Sequence, residues 1–235
     1  MLSQKTLKKL QLEQAKLDQF IIQKKNLTDT DSTASFIRTK IALLVEISEL
    51  ANELKTFKHW KSQKDINWEK AQEELIDCLH FYLSWANSLG IEFFDYKFQK
   101  LVSEPDFNEL LLAFFSETEA FRIYAPWKIR KLKMLAVNEK HWEDYINKAN
   151  SEGKITEKDL EELKKIKEEQ KKAIEKMDDG FLERISEEKN KTGFYRWLII
   201  FEELAQKLGM KSEKDIEEAY RKKNEINWKR QKENY

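Results

Sequence analysis

The 235-residue sequence contains few of the residues that turns, disulfide frameworks and membrane spans require. It has five glycines and two prolines, so few positions force the chain into a turn. Its single cysteine, Cys78, excludes an internal disulfide and any zinc site built from several cysteines. No stretch approaches 18 consecutive apolar residues, and the first residues lack the apolar core of a signal peptide. These absences predict a soluble protein, which we expect to be cytoplasmic.

The sequence also lacks an excess of either charge. Lysine and arginine together number 43, as do aspartate and glutamate, so the formal net charge is zero. A neutral chain has no global field that attracts nucleic acid or an anionic membrane, and we expect neither as a partner. Charged residues make up 37% of the chain and hydrophobic residues 40%, which favours helices where glycine and proline are so scarce. We therefore predict an all-α fold.

Apolar residues at helical spacing, together with capping residues, predict the positions of several helices. The first helix spans residues 4 to about 24, and a second helix, capped by Ser32 or Thr33, runs to about Thr56. Asn67 is the predicted cap of a third helix, which Gly90 ends. Ser212 is the predicted cap of the last helix.

Residues 151–190 differ from the rest because they consist mostly of glutamate and lysine with a thin apolar stripe. A capping pattern from Thr156 to Asp159 opens this segment, and Gly180 is predicted to close its helix. We predict a single domain over residues 1–235, with this segment as a charged helical insertion or arm.

Two pairs of acids are distinguished by their apolar surroundings. Glu46 and Glu49 lie in VEISEL, and Glu74 and Asp77 lie in EELIDCL. Residues three apart share one face of a helix, so each pair can direct two carboxylates to one point. Spacing alone is weak, since 43 acids would form about eight such pairs by chance. Here, however, apolar residues cover more than half of the first helix and leave its acids in the remaining stripe. On the second helix they form a wide face, and the acids lie along one edge of it.

Four converging carboxylates repel one another unless cations neutralise them. Hard oxygen ligands select Mg²⁺, which keeps positions for water and for substrate phosphate. Between the two helices lies a loop with Lys58, Trp60 and Lys61, cations and an aromatic ring that suit a phosphate-bearing ligand. The pattern therefore predicts a Mg²⁺ site for a nucleoside triphosphate, with two or more ions in the manner of two-metal displacement.

Two other interpretations are open at this point. A di-iron bundle needs two Glu-x-x-His repeats, whereas Asp77 to His80 is the sole acid-x-x-His pair that could serve. A non-enzymatic α-helical adaptor would use the arm at 151–190 to bind a protein, and its acids would pair with lysines.

Several short motifs of the sequence resemble those of the all-α dimeric dUTPase family and occur in the same order along the chain. This family belongs to the wider all-α NTP pyrophosphohydrolase group, which includes MazG-like enzymes. Leu12–Asp18 is similar to the first motif, and the two acidic pairs are similar to the metal motifs. Phe57–Lys61 resembles the connecting loop, and Lys223–Tyr235 resembles the K-N-x-L-N-x-x-R-Q-x-x-G-Y element. The matched pieces cover about residues 12–85 and 195–235. The resemblance implies a multi-helix bundle and a homodimer.

The resemblance further implies that Glu46, Glu49, Glu74 and Asp77 hold Mg²⁺, and that Glu49 orients or deprotonates the attacking water. The residues that it implies for substrate binding are Gln14, Asp18, Trp60, Lys61, His80, Lys223, Asn224, Asn227, Arg230 and Tyr235.

The implied reaction is hydrolysis of dUTP, and of dUDP as well, to dUMP. The alternative is a dCTP or broad (d)NTP pyrophosphohydrolase, because the family often has asparagine where this chain has Asp18. An ionised acid accepts hydrogen bonds but cannot donate them, which affects how a base is recognised.

Overall fold

A computed structural model of the protein describes residues 1–28, 33–61, 66–93, 96–101, 103–120, 139–140, 142–148, 151, 156–175 and 179–233. These residues form helices and no β-strand, which confirms the all-α prediction. The helices with defined bounds are α1 (Gln4–Lys24), α2 (Thr33–Leu54), α3 (Trp68–Ser88), α4 (Phe107–Ala120), α5 (Glu157–Glu175), α6 (Asp179–Lys207) and α7 (Glu213–Lys232). No helix among the described residues is long and apolar enough to cross a membrane.

The chain divides into two compact units, one formed by residues 1–121 with 188–235 and the other by residues 122–187. The first unit holds α1 to α4, the C-terminal part of α6, and α7. The second holds α5 and most of the segment predicted to be an arm. This division leaves the prediction of one domain over residues 1–235 untested.

Local hydrogen bonds explain why several helices begin and end where predicted. The side chain of Asn67 accepts a hydrogen bond from the Lys70 N–H at the start of α3. Gly90, with φ of +65°, follows the end of that helix, as expected for a left-handed position that favours glycine. Ser212 and Asp215 form a reciprocal capping box at the start of α7.

Two predicted helix ends differ from the structure. Helix α2 ends at Leu54, about two residues before the predicted end, because Lys55 takes up a left-handed conformation with φ of +55°. The prediction that Gly180 ends α5 is wrong, since this glycine lies in the first turn of α6. A glycine inside a helix costs about 1 kcal/mol relative to alanine, which neighbouring residues can offset.

Helix α3 is central to the first unit, because α1, α2 and α7 all pack against it. An aromatic cluster holds its other side: the ring of Tyr82 stacks on Trp197 of α6 with centroids 4.0 Å apart. Trp197 also contacts Phe114 of α4 and donates its Nε1–H to Thr118 at 3.0 Å. Residues that α3 directs toward α2 and α7 are therefore fixed by a packed core.

Helix α1 is tied at its start to both α6 and α7. The Leu2 N–H donates to the buried carboxylate of Glu202 at 2.6 Å, and the Ser3 N–H donates to Glu213 at 2.5 Å. These bonds set α1 beside α7, so that residues of the two helices meet over α3.

Candidate active site

Three carboxylates from two neighbouring helices converge in the first unit. Glu46 of α2 and Glu74 and Asp77 of α3 each offer an oxygen atom, and these atoms lie within 4.8 Å of one another. Glu74 is buried, with 4% of its surface exposed, whereas Glu46 and Asp77 are half-buried. Since α2 packs directly on α3, the two predicted acidic stretches face each other.

Glu49, the fourth predicted acid, is not in this group as the described residues show it. It lies one turn further along α2, and its side chain is exposed to solvent. The charge of Glu49 nevertheless acts on the cluster, because it helps to raise the pKa of Glu46. Its predicted role at the metal stays a prediction.

Two lysines supply positive charge to the cluster. Lys70 Nζ lies 2.8 Å from Glu74 Oε1, and Lys223 Nζ lies 2.5 Å from Asp77 Oδ2. Sequence reasoning missed Lys70, although its position four residues before Glu74 places it one turn away on the same face. Lys223, predicted to bind substrate, contacts the acids directly.

The pKa values of the acids show that the two lysines do not fully compensate the negative charge. The pKa of Glu46 is raised to about 7, first by burial and then by the charges of Asp77, Glu49 and Glu74, while Lys223 opposes the rise. The pKa of Asp77 is also raised, mainly by burial, although its ion pair with Lys223 opposes this. A cation bound among these oxygens would restore the ionised forms.

The donor set fits Mg²⁺. Among the described residues the group contains carboxylates alone, with no histidine or cysteine. Hard oxygen donors suit Mg²⁺, whereas di-iron and zinc sites use nitrogen or sulfur ligands as well. The sole acid-x-x-His pair considered for a di-iron site ends at His80. The Nδ1 atom of His80 is hydrogen-bonded to Gln14 instead of facing the acids.

Beside the acids lies a buried network around Gln14, which we call the Gln14 network and which comprises Gln14, Asp18, His80 and Tyr220. The Oε1 atom of Gln14 lies 2.8 Å from His80 Nδ1, and it accepts a hydrogen bond of 2.8 Å from the Tyr220 hydroxyl. The Nε2 atom of Gln14 donates to Asp18 Oδ1 at 2.8 Å. Three predicted substrate-binding residues are thus joined to Tyr220, which sequence reasoning missed.

His80 is held as a neutral imidazole within this network. It is 5% exposed, and its ring stacks on Tyr220 with centroids 4.1 Å apart. Burial lowers the pKa of His80 to about 3, and the charge of Lys223 acts in the same direction, against a smaller opposing effect of the Tyr220 main chain. Burial also raises the pKa of Tyr220, so its hydroxyl keeps the proton that it donates.

A comparison with protein-family models decides the family. The model described as dUTPase matches residues 6–169 and 127–235. The chain belongs to the all-α dimeric dUTPase family. The match confirms the resemblance and extends across the middle of the chain, where sequence motifs gave none. Searches of curated proteins and of solved structures found no match.

As a member of this family the dUTPase is a hydrolase with a nucleotide substrate, and such enzymes are typically metal-dependent. The acidic cluster and the Gln14 network, formed by residues of α1, α2, α3 and α7, are the candidate site for that chemistry. Membership also removes support from the adaptor interpretation.

The connecting loop, Phe57–Lys61, is largely exposed to solvent. Trp60 is 65% exposed and contacts His59 with ring centroids 5.2 Å apart. Lys61 is exposed as well. Within the described part of the chain, no hydrogen bond, ion pair or ring contact joins either residue to the acids, so their binding roles stay predictions.

Helix α7 carries the remaining predicted substrate residues. Asn224 has a buried Oδ1 atom with no hydrogen-bond partner among the residues that the structure describes. Asn227 is half-buried and Arg230 is exposed. Tyr235 lies outside the described residues.

Proposed function

We propose that this dUTPase hydrolyses dUTP, and dUDP as well, to dUMP by attack of water at the α-phosphorus. Pyrophosphate leaves from dUTP and phosphate leaves from dUDP. The observation that carries the proposal is the convergence of Glu46, Glu74 and Asp77 within 4.8 Å, in a member of the dUTPase family.

In this proposal Glu46, Glu49, Glu74 and Asp77 hold two or more Mg²⁺ ions. When bound, Mg²⁺ lowers the pKa of water, neutralises phosphate oxygens and stabilises the leaving group. The raised pKa values of Glu46 and Asp77 support a cation here, since a dense cluster of carboxylates remains short of positive charge.

The residues around the cluster have separate roles. Glu49 orients or deprotonates the attacking water, and its exposed position gives it access to solvent from which that water comes. Lys223 pairs with Asp77 and can exchange this contact for one with a phosphate oxygen. Lys61 and Arg230 supply further positive charge toward the phosphates.

We also propose that the enzyme acts as a homodimer. Ile41 and Val45, one turn apart on α2, are 55% and 46% exposed, and Leu112 on α4 is 72% exposed. Apolar side chains exposed on neighbouring helices favour burial against a second copy. Light scattering of the purified protein tests this, and a monomer at micromolar concentration would contradict it.

The decisive test of the reaction is a hydrolysis panel with dUTP, dUDP, dCTP and dTTP, each with Mg²⁺ and with EDTA. We expect Mg²⁺-dependent release of pyrophosphate from dUTP. Run in ¹⁸O-labelled water, the reaction should place the label in dUMP, because water attacks the α-phosphorus. Label in pyrophosphate would refute that point of attack, and inactivity toward every nucleotide would overturn the proposal and favour the adaptor.

The role of Glu49 is tested by Glu49→Gln, which should lose most of its turnover while circular dichroism shows an intact fold. Glu218→Gln is a matched control, since Glu218 is an exposed acid of α7 whose ion pair with Lys214 is screened by solvent. A fully active Glu49→Gln variant would remove Glu49 from the mechanism.

A further inference from the structure

We propose that Asp18, acting through the amide of Gln14, fixes the tautomer of His80 and thereby makes the enzyme select uracil over cytosine. In this arrangement His80 carries its proton on Nδ1 and presents Nε2 to the base as a hydrogen-bond acceptor. The inference rests on the proposed function, because it requires a pyrimidine beside His80. Asp18 is a positioning residue, since it acts through Gln14 rather than on the substrate.

The first step concerns the orientation of the Gln14 amide. Asp18 Oδ1 lies 2.8 Å from the Gln14 amide, and the Ser84 side chain also hydrogen-bonds to Asp18. Burial raises the pKa of Asp18, and the hydrogen bonds from Gln14 and Ser84 oppose that rise. With Asp18 ionised, its carboxylate accepts hydrogen bonds and donates none, so the NH₂ group of Gln14 faces Asp18. Its carbonyl oxygen must then face the opposite way, toward His80 and Tyr220.

The second step concerns the proton on His80. With the Gln14 carbonyl 2.8 Å from His80 Nδ1, that nitrogen must be the one that carries the hydrogen. The Tyr220 hydroxyl also donates a hydrogen bond of 2.8 Å to the Gln14 carbonyl oxygen, so both lone pairs of that oxygen are in use. Stacking against Tyr220 at 4.1 Å fixes the plane of the imidazole ring.

The third step concerns the atom left over. His80 Nε2 is then an acceptor. It is buried and makes no hydrogen bond of normal geometry among the described residues, while the Tyr220 main-chain oxygen also lies near the imidazole ring. Asn224 Oδ1, one turn beyond Tyr220 on α7, is also a buried acceptor with no hydrogen-bond partner among the described residues. A buried acceptor without a partner is rare, and His80 Nε2 calls for a bound molecule that brings a donor. The Asn224 amide can turn and offer its NH₂ group to the same molecule instead.

The base that meets this requirement follows from its chemistry. In a uracil nucleotide N1 bears the sugar, so N3–H is the single N–H of the ring and faces an acceptor well. Cytosine has a lone pair at N3, which an acceptor repels. A site built to accept a hydrogen bond discriminates strongly against the base that cannot donate it there.

The tautomer is tested directly by long-range ¹⁵N–¹H correlation spectra of histidine-labelled protein at pH 7.5. The chain has three histidines, so the His80 signals are those lost in His80→Gln. We expect protonated Nδ1 and unprotonated Nε2 in the wild type. In Asp18→Asn the new side chain can also donate to Gln14, the amide is free to turn, and the Nε2–H form should appear. Glu218→Gln removes an exposed charge of α7 outside the network and should change nothing.

Substrate discrimination provides the second readout. We expect Asp18→Asn to lower the ratio of kcat/KM for dUTP over dCTP by about tenfold, whereas Glu218→Gln leaves the ratio unchanged. An Nε2–H tautomer in the wild type overturns the inference, even if Asp18→Asn does not fold. A tautomer that changes without any change in the ratio overturns the contact with the base. Failure of the proposed function is distinct, because it abolishes hydrolysis while the spectra still report the tautomer.

Discussion

The raised pKa of Glu46 leads to a prediction that separates a metal site from a structural cluster of acids. In Glu46→Gln the carboxylate becomes a neutral amide of nearly the same shape. We expect the variant to be more stable than the wild type at pH 8 without metal, and to lose stabilisation by Mg²⁺. Because most substitutions destabilise a protein, a gain in stability would indicate that the substitution relieves the burial of a charged carboxylate and its repulsion by the neighbouring acids.

The magnitude follows from the pKa. A rise from 4.5 to about 7 is equivalent to about 3 kcal/mol, at about 1.4 kcal/mol for each unit of pKa. Because Glu46 is only half-buried, solvent screening reduces this to about 1–2 kcal/mol. A folded-state pKa above the unfolded value means that the native protein binds more protons between pH 4.5 and 7, so wild-type stability falls as the pH rises through that range. The gain in Glu46→Gln should therefore be near zero at about pH 4.5 and complete at about pH 8.

Magnesium should reverse the order of stability of the wild type and Glu46→Gln. An ion that binds only the native state at about 100 times its dissociation constant adds about 2.7 kcal/mol to wild-type stability. Glu46→Gln has lost one ligand of the group and should gain much less. The wild type is then the more stable protein in Mg²⁺ and the less stable one in EDTA.

The assay is urea unfolding at pH 4.5 and pH 8, in EDTA and in Mg²⁺, at one fixed protein concentration. Glu218→Gln serves as the control, because its side chain is 66% exposed and should change stability by less than about 0.5 kcal/mol. A Glu46→Gln variant that is destabilised at pH 8 in EDTA would refute the electrostatic reasoning. An equal gain from Mg²⁺ in both proteins would exclude Glu46 as a ligand.

Three further predictions concern the loop, the core and a helix cap. Lys61→Ala should raise the KM for dUTP about threefold or more, since an exposed lysine contributes a salt-dependent attraction to phosphate; an unchanged KM and kcat would remove Lys61 from the site. Trp197→Ala should lower the free energy of unfolding by about 3–5 kcal/mol, because the ring is fully buried against Tyr82; urea unfolding measures this, and a loss below about 1 kcal/mol would contradict the packing. Ser212→Ala should cost about 1 kcal/mol in the same assay through loss of the capping box, and no change would contradict that box.

What could be predicted from the sequence is mainly what neighbouring residues determine. Asn67 and Ser212 cap helices through bonds to residues three positions away, and such bonds depend on local spacing alone. The error at Gly180 has the opposite origin, because the propensity of one residue is a weak signal that its context in α6 overrides. The residue that caps α2 lies outside the described part of the chain, so that prediction has no structural outcome.

The acidic cluster was predictable because apolar neighbours fixed the face that each helix buries. The convergence of Glu46 with Glu74 and Asp77 needs nothing more than α2 packing on α3. The exposure of Glu49 was not predictable, since it depends on where α2 meets solvent. The ion pair of Lys223 with Asp77 and the stacking of Tyr220 on His80 both depend on how α7 lies across α3, and no local pattern encodes that register.

Asp18 illustrates how the position of a residue in a network can reverse the conclusion drawn from its type. Taken alone, an acid at a position near the base offers an acceptor, which would favour the amino group of cytosine. In the structure Gln14 and Ser84 both hydrogen-bond to Asp18, so its charge acts on groups within the protein. The effect passes through Gln14 to His80, whose free acceptor would suit N3–H of uracil. The same carboxylate thus favours cytosine if it meets the base directly and uracil if it acts through Gln14, and the dUTP to dCTP ratio of Asp18→Asn distinguishes the two.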